Sequence, residues 1–364
     1  MTPGETAMAE TPVIHFYTKG PETTASSRQR AFAVAAELEK LGLRTIVHRP
    51  SLNEFSGEKN IFRKARLLLA LALTLFRTRA YDTVFLQKTV FSKIFIALVY
   101  LAKKTCRFRV VLDLDDATYE YNQTKTAAMA RMADMVIAGS TRIREWALEH
   151  NQNSRLVPSS VSYALYSRHT STLTNGGAIP VIGWIGTGKG YHLELRDVLV
   201  PIFERMIADG LRFRFLLVGA QGYQPLKDMF RAIKGLQTEF IDELDWSDQE
   251  SMPTAISRFD IGIMPLERSK WNEGKCAFKA IEYMACGIPT VATRIGENAI
   301  LIEDSVNGFL ADSPDEWSSK LKRLLDSYEL RSALGRKGQQ TIKERYSFEA
   351  NIPKLKQMLL TATI

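Results

Sequence analysis

VIGWIGTGKG, residues 181–190, is an apolar run that breaks into a glycine-rich turn. Counted from Gly183 it has the P-loop spacing as far as Gly188 and Lys189, but Gly190 stands where a P-loop needs a hydroxyl to ligate magnesium. The stretch therefore reads as a strand running into a helix, with its turn at the carboxyl end, where open α/β sheets bind ligands. It also restarts a pattern. Strand-length apolar runs alternate with amphipathic helical stretches before it, at 13–17, 44–49, 83–87, 109–114, 135–139 and 155–158. They resume at 179–186, 213–219, 238–242, 261–266, 289–293 and 308–311. Two doubly wound α/β domains with parallel sheets follow.

A chain of 364 residues fits two cores better than one. The expected division is a disordered N-terminus (1–10), a first domain (11–165), a polar Ser/Thr-rich linker (166–179), a second domain (180–345) and a C-terminal helix (346–364). Hydrophobic residues at 45% and charged residues at 24% are ordinary for a globular enzyme and argue against disorder or a fibrous fold. Three cysteines and five scattered histidines offer neither a disulfide framework nor zinc spacing, which points to a reducing cytoplasm and no metal site. The first twenty residues lack the basic-then-apolar layout of a secretory signal. The longest apolar runs, 67–76 and 94–102, fall short of the roughly 20 residues that span a bilayer.

The charge is uneven. Between Lys59 and Arg109 stand twelve lysines and arginines against one acid, Asp82, a surplus larger than the whole chain's +8. Arg63, Lys64 and Arg66 precede the apolar run and Arg77 and Arg79 follow it. This layout suits an amphipathic helix on anionic headgroups, where each basic residue contributes about 1 kcal/mol. Peripheral association of 59–109 with the inner face of the plasma membrane is expected. No aromatic stacking motif or reading module accompanies the charge, so nucleic acid is not an expected partner.

The segment 271–311, WNEGKCAFKAIEYMACGIPTVATRIGENAILIEDSVNGFLA, carries the densest chemistry. Glu282 lies in a helix stopped by Gly287 and Pro289, with Lys279 three residues before it and Lys275 four before that. With a helix start near Cys276, all three share one face at its N-terminal end. Free amides, the macrodipole and two lysines there suit a diphosphate, and one carboxylate can accept from two sugar hydroxyls. A plain surface Lys/Glu pair is the alternative.

This segment resembles the donor-site signature of the retaining glycosyltransferases of the GT-B fold, family 4, whose pattern is Glu, seven residues, Glu, then a stretch that EYMACGIPTVAT matches. EDSVNGFLA and the closing RYSFEANIPKLKQMLL are similar to later parts of the same family. The resemblance implies α/β GT-B architecture, two Rossmann-like domains with parallel sheets facing a cleft, and a last helix that crosses back to the first domain. It implies transfer of a sugar, with retention and without a metal or other cofactor, from a nucleotide-diphosphate-sugar (UDP or GDP) to a lipid-linked or saccharide acceptor. Glu282 would hold the ribose hydroxyls, Gly296 and Glu297 would form the loop after the next strand, and Gly186 and Thr187 the first turn. The family's first Glu falls at Gly274, and its Arg and Lys fall near Thr187 and Leu193. Lys275, Lys279 and Lys189 are expected to supply the missing charge, since a leaving diphosphate must be offset by some cation. A catalytically degenerate nucleotide-sugar binder and a peripheral membrane scaffold are the alternatives.

In the first domain, YTKGPETTASSRQR (17–30) reads as a strand end, a turn at Gly20, an N-cap at Ser26 or Ser27, and Arg28 and Arg30 in the first helical turn. Cations there oppose the helix dipole, so an anion such as an acceptor phosphate is expected beside them. LDLDDATYEY (112–121) sets Asp113, Asp115 and Asp116 at a strand end. Asp115 and Asp116 are the candidates to orient or deprotonate an acceptor hydroxyl. Their Asp-x-Asp spacing also suits a metal-dependent GT-A enzyme, which the two strand–helix repeats disfavour.

Overall fold

The computed structural model describes residues 12–361 except 50, 52, 53, 55, 56, 89–91, 172, 176, 177 and 247. The expected disordered stretch 1–10 lies outside the described residues. The chain forms two compact units: Met1–Gly139 with Ile143–Val157 and Ile352–Ile364, and Ser140–Arg142 with Pro158–Asn351. No described helix is long and apolar enough to cross a membrane.

The first unit holds a six-stranded sheet of β1 (Val13–Tyr17), β2 (Arg44–His48), β3 (Thr83–Gln87), β4 (Arg109–Leu114), β5 (Met135–Ala138) and β6 (Ser154–Leu156). Every pairing is parallel and the order is β2-β1-β3-β4-β5-β6. The order reverses between β1 and β3, so a crevice for ligands opens at their carboxyl ends. The second unit repeats the plan with β7 (Val181–Ile185), β8 (Arg214–Val218), β9 (Gln237–Ile241), β10 (Ile261–Met264), β11 (Thr290–Thr293) and β12 (Phe309–Ala311). Its order is β12-β11-β10-β7-β8-β9, and its switch point lies between β7 and β10.

Burial explains why the strands were readable. Central strands β1, β3 and β7 are covered on both faces and buried along their whole length, which demands unbroken apolar runs. In the second unit Ile182 and Trp184 face a layer containing Phe203, Phe215 and Phe230, while Val181 and Ile185 face the opposite layer with Phe259 and Tyr283. Gly183 is a packing requirement, because a Cβ there would stand 2.1 Å from the Phe259 ring.

Local corrections concern helix starts. The first helix begins at Ala25 behind the N-cap Thr24, widens into a π-turn over Arg28–Phe32, and ends at Lys40 before Gly42 at φ +83. Ser27 is therefore a buried helical residue rather than the N-cap, and Arg28 and Arg30 sit one turn deeper than expected. The Glu282 helix begins at Phe278, after Ala277 at φ +55, so Lys275 precedes the helix and only Lys279 lies in its first turn.

Candidate functional site

Each unit gathers charged groups at its own switch point, and the two clusters differ in kind. In the second unit the backbone after β7 is held tightly: Gly186 N donates to Val218 O at 3.0 Å and Gly188 N to Gly219 O at 2.8 Å. Gly219 sits at φ +92, and a Cβ on it would come within 2.0 Å of Gly186 O. The 21-residue helix Gly188–Ala208 starts from this turn, and its N-cap Thr187 contributes no side-chain hydrogen bond. Its amide end and dipole are thus presented at the crevice.

Lys275 and Lys279 converge on Tyr191 at the end of that helix's first turn. Lys275 Nζ donates to Tyr191 Oη at 2.7 Å and lies 4.3 Å from the ring centroid. Lys279 Nζ lies 4.0 Å from the same centroid and 5.5 Å from that of Trp184. A Cβ on Gly186 would approach Lys279 Cε to 2.8 Å, so Lys279 borders the turn itself. Among the described residues neither lysine has a carboxylate within ion-pair distance. Lys279, with a smaller contribution from Lys275, holds the Tyr191 phenol below the usual tyrosine range despite burial. Lys189 is exposed and leans over the Tyr223 ring at 6.0 Å, away from this pair.

Glu282 is buried, and its Oε1 accepts from Tyr166 Oη at 2.8 Å. Its helix is anchored by the neighbouring Tyr283, whose hydroxyl accepts from Ile185 N at 3.0 Å. Gly296, at φ +47, packs where a Cβ would meet Glu273 O at 2.2 Å. Glu297 is buried, accepting from Tyr346 Oη at 3.3 Å and from Thr141 N, also of the second unit, at 2.9 Å. Gly274, in the place of the pattern's first Glu, closes the short helix Lys270–Glu273.

In the first unit the cations are matched by carboxylates. Arg30 is buried and bidentate to Asp113, with Nε to Oδ2 at 3.2 Å, and donates to Val157 O at 2.9 Å. Ser27 Oγ accepts from Gly20 N at 3.0 Å and donates to Gln87 Oε1 at 3.1 Å. These contacts tie Gly20, Ser27 and Arg30 to the ends of β1, β3 and β4. Arg28 Nη1 donates to the carbonyls of Glu22 and Thr23, at 3.5 Å each.

Asp115 and Asp116 do lie together, on either side of a residue that sequence reading passed over. Lys88 Nζ is 3.1 Å from Asp115 Oδ1 and also pairs with Asp116. Lys88 is buried in a left-handed conformation, φ +66. Burial alone would lower its pKa, but the two aspartates outweigh burial and raise it. Burial pushes Asp115 up to about 6, with Lys88 pulling the other way and Asp116 and Asp113 adding to the rise. The sequence signal for Lys88 was available: a lysine directly after β3, at the switch point. Among the described residues no group of three or more His, Cys, Asp or Glu is disposed to hold a metal.

Residues 179–327 match the model of the family described as glycosyl transferases group 1. An uncharacterized glycosyltransferase of Methanocaldococcus jannaschii is 38% identical over 72 residues, covering 19% of this chain and 20% of that protein, so the match spans a fifth of the relative's length. Among solved structures, HepE of Anabaena in complex with UDP and glucose superposes with TM-score 0.68 at 14% identity, covering 96% of this chain and 100% of that one. Sucrose-phosphate synthase from Thermosynechococcus elongatus gives TM-score 0.71 at 14% identity, over 96% and 98%. At such identities the likeness is one of fold: the chain has the α/β GT-B fold of these glycosyltransferases.

Because Arg30–Asp113 is a buried pair, Arg30→Met should destabilise the first unit by about 3–5 kcal/mol through the stranded carboxylate. Urea unfolding of the full chain measures this, and a loss under about 1 kcal/mol would return Arg30 to the list of ligand residues.

Proposed function

We propose that the chain is a retaining glycosyltransferase that moves a sugar from a nucleotide-diphosphate-sugar, UDP- or GDP-linked, to a lipid-linked or saccharide acceptor. The observation that carries this reading is the Lys275–Lys279 pair beside the Gly186 turn. Each ammonium rests on an aromatic ring, a contact worth about 0.5–2 kcal/mol, where charge-assisted hydrogen bonds to a phosphate are worth about 1.5–3 each. A diphosphate is therefore the better partner for both. The two lysines offset the charge that develops on the leaving diphosphate, the task a divalent cation performs in other transferases. Glu282, its carboxylate oriented by Tyr166, is assigned to the ribose hydroxyls, with Gly296 and Glu297 shaping the adjoining loop. UDP or GDP should stabilise the full chain with EDTA present, by about 2.7 kcal/mol at 100 times Kd. Lys279→Met and Glu282→Ala should each weaken binding at least about tenfold, and the product's anomeric proton signal should show the donor's configuration. Absence of any nucleoside diphosphate shift would end the donor-site reading.

Asp115 is assigned to the acceptor hydroxyl, with Asp116 and Lys88 holding it. A carboxyl titrating at about 6 accepts a proton only above that pH. The kcat/KM should accordingly rise as pH passes about 6, and Asp115→Asn should lower it about 100-fold and abolish that acidic limb. An unchanged limb in the variant would remove Asp115 from this role.

A peripheral membrane position on the cytoplasmic side belongs to the same proposal, supported by two helices that each carry a second, exposed apolar stripe. Ile61–Phe76 buries Leu71 and Leu75, yet Ile61, Phe62, Leu69, Leu73 and Phe76 are exposed, Phe62 to 84%. At 100° per residue these five fall within a sector of about 120° whose centre lies about 120° around the helix from the buried leucines. The neighbouring helix Lys93–Cys106 repeats this, burying Phe95, Val99 and Ala102 while exposing Ile94 and Leu101. Arg63, Arg66 and Arg77 are exposed on the first of these helices, and Lys93 and Lys104 on the second. Flotation with phosphatidylglycerol-containing vesicles should be strong, and weak with phosphatidylcholine alone. It should be lost in Phe62→Asp/Leu69→Asp, and equal flotation of that variant would refute the assignment.

A further inference from the structure

The Tyr191 hydroxyl belongs to no part of the pattern read from the sequence, yet the two unmatched cations meet on it. We propose that Tyr191 is a third ligand of the diphosphate, its O–H donated to a phosphate oxygen while its oxygen accepts from Lys275. The inference rests on the donor-site reading above and assigns a residue within it. Three observations converge. The phenol oxygen already accepts from Lys275 at 2.7 Å, which leaves its own proton to donate. The side chain springs from the first turn of the helix whose amide end, without a side-chain cap, opens on the Gly186 turn. The ring is locked from beneath, edge-on to Trp184 at 5.7 Å and carrying Lys279 at 4.0 Å, so the hydroxyl is fixed in direction before any ligand arrives.

The chemistry of the cluster favours donation. The positive charges of Lys279 and Lys275 favour the phenolate and hold the phenol's pKa down, which makes its O–H a stronger donor. A neutral tyrosine that donates leaves both positive charges in place, where a carboxylate at this position would cancel one. The arrangement offers a dianionic ligand two cations and one directed hydrogen bond, matched to a diphosphate better than to a single phosphate. It also meets the departure noted at Thr187 and Leu193: the missing basic residues after β7 are answered by one aromatic donor on the same helix and two lysines from the segment 275–279.

The test is calorimetric titration of the full chain with inorganic pyrophosphate, which carries no base or ribose and so reads the phosphate contacts alone. Wild type should bind, Lys275→Met/Lys279→Met should not, and Tyr191→Phe, which keeps the ring and both cation contacts, should bind about tenfold more weakly. A melting temperature of Tyr191→Phe within about 2 °C of wild type shows that the fold is intact. Orthophosphate affinity should fall less than pyrophosphate affinity in the same variant. Pyrophosphate binding by Tyr191→Phe equal to or tighter than wild type overturns the assignment while leaving the lysines as the diphosphate site. Binding that ignores the lysine substitutions, or no binding by wild type, overturns the donor-site reading and this inference with it.

Discussion

A parallel strand covered on both faces can offer chemistry only where it ends. In both units the central strands are buried from end to end, so their interiors are closed to solvent. The switch points between β1 and β3 and between β7 and β10 open crevices at the carboxyl ends, and the charged clusters described above gather there. The glycines follow from the same constraint. Gly219 and Gly186 bring two backbones together with no room for a methyl group, and that contact sets where the helix carrying Tyr191 begins.

The two crevices are filled on different principles. In the first unit each buried cation meets a carboxylate: Arg30 with Asp113, Lys88 with Asp115 and Asp116. The fully buried Arg30–Asp113 pair is costly to break, because removing one member strands a charge in a poorly solvated place. In the second unit the cations rest on aromatic rings, which attract them without neutralising them. A charge held that way remains available to an incoming anion. The contrast separates framework from site more sharply than burial does, since Arg30 and Lys279 are alike in residue class and differ in what faces them.

The helices Ile61–Phe76 and Lys93–Cys106 apply the same logic to the surface. A helix needs one apolar stripe to dock on its sheet, and these two carry a second one, edged by arginine and lysine. Among the described residues of the first unit, Phe62, Leu69, Leu73, Ile94 and Leu101 of that second stripe remain exposed.

The strands and their grouping into two repeats were legible because both-face burial writes itself into consecutive residues, as in TVFLQ and RVVLDL. Helix stops such as Gly287 were legible for a similarly local reason, the positive φ that favours glycine. Lys279 and Glu282 could be paired from their spacing along one helix, whereas Lys275 precedes that helix. Tertiary structure alone decided what each charge faces. Arg30 finds Asp113 across 83 residues, a pairing that local spacing does not announce. Lys88 and Tyr191 gain their importance from residues 27 and more positions away, Asp115 in one case and Lys275 in the other. Periodicity reports which face of an element is buried; it carries no record of the partner, because ion pairs and cation–ring contacts are made between elements that only the fold brings together.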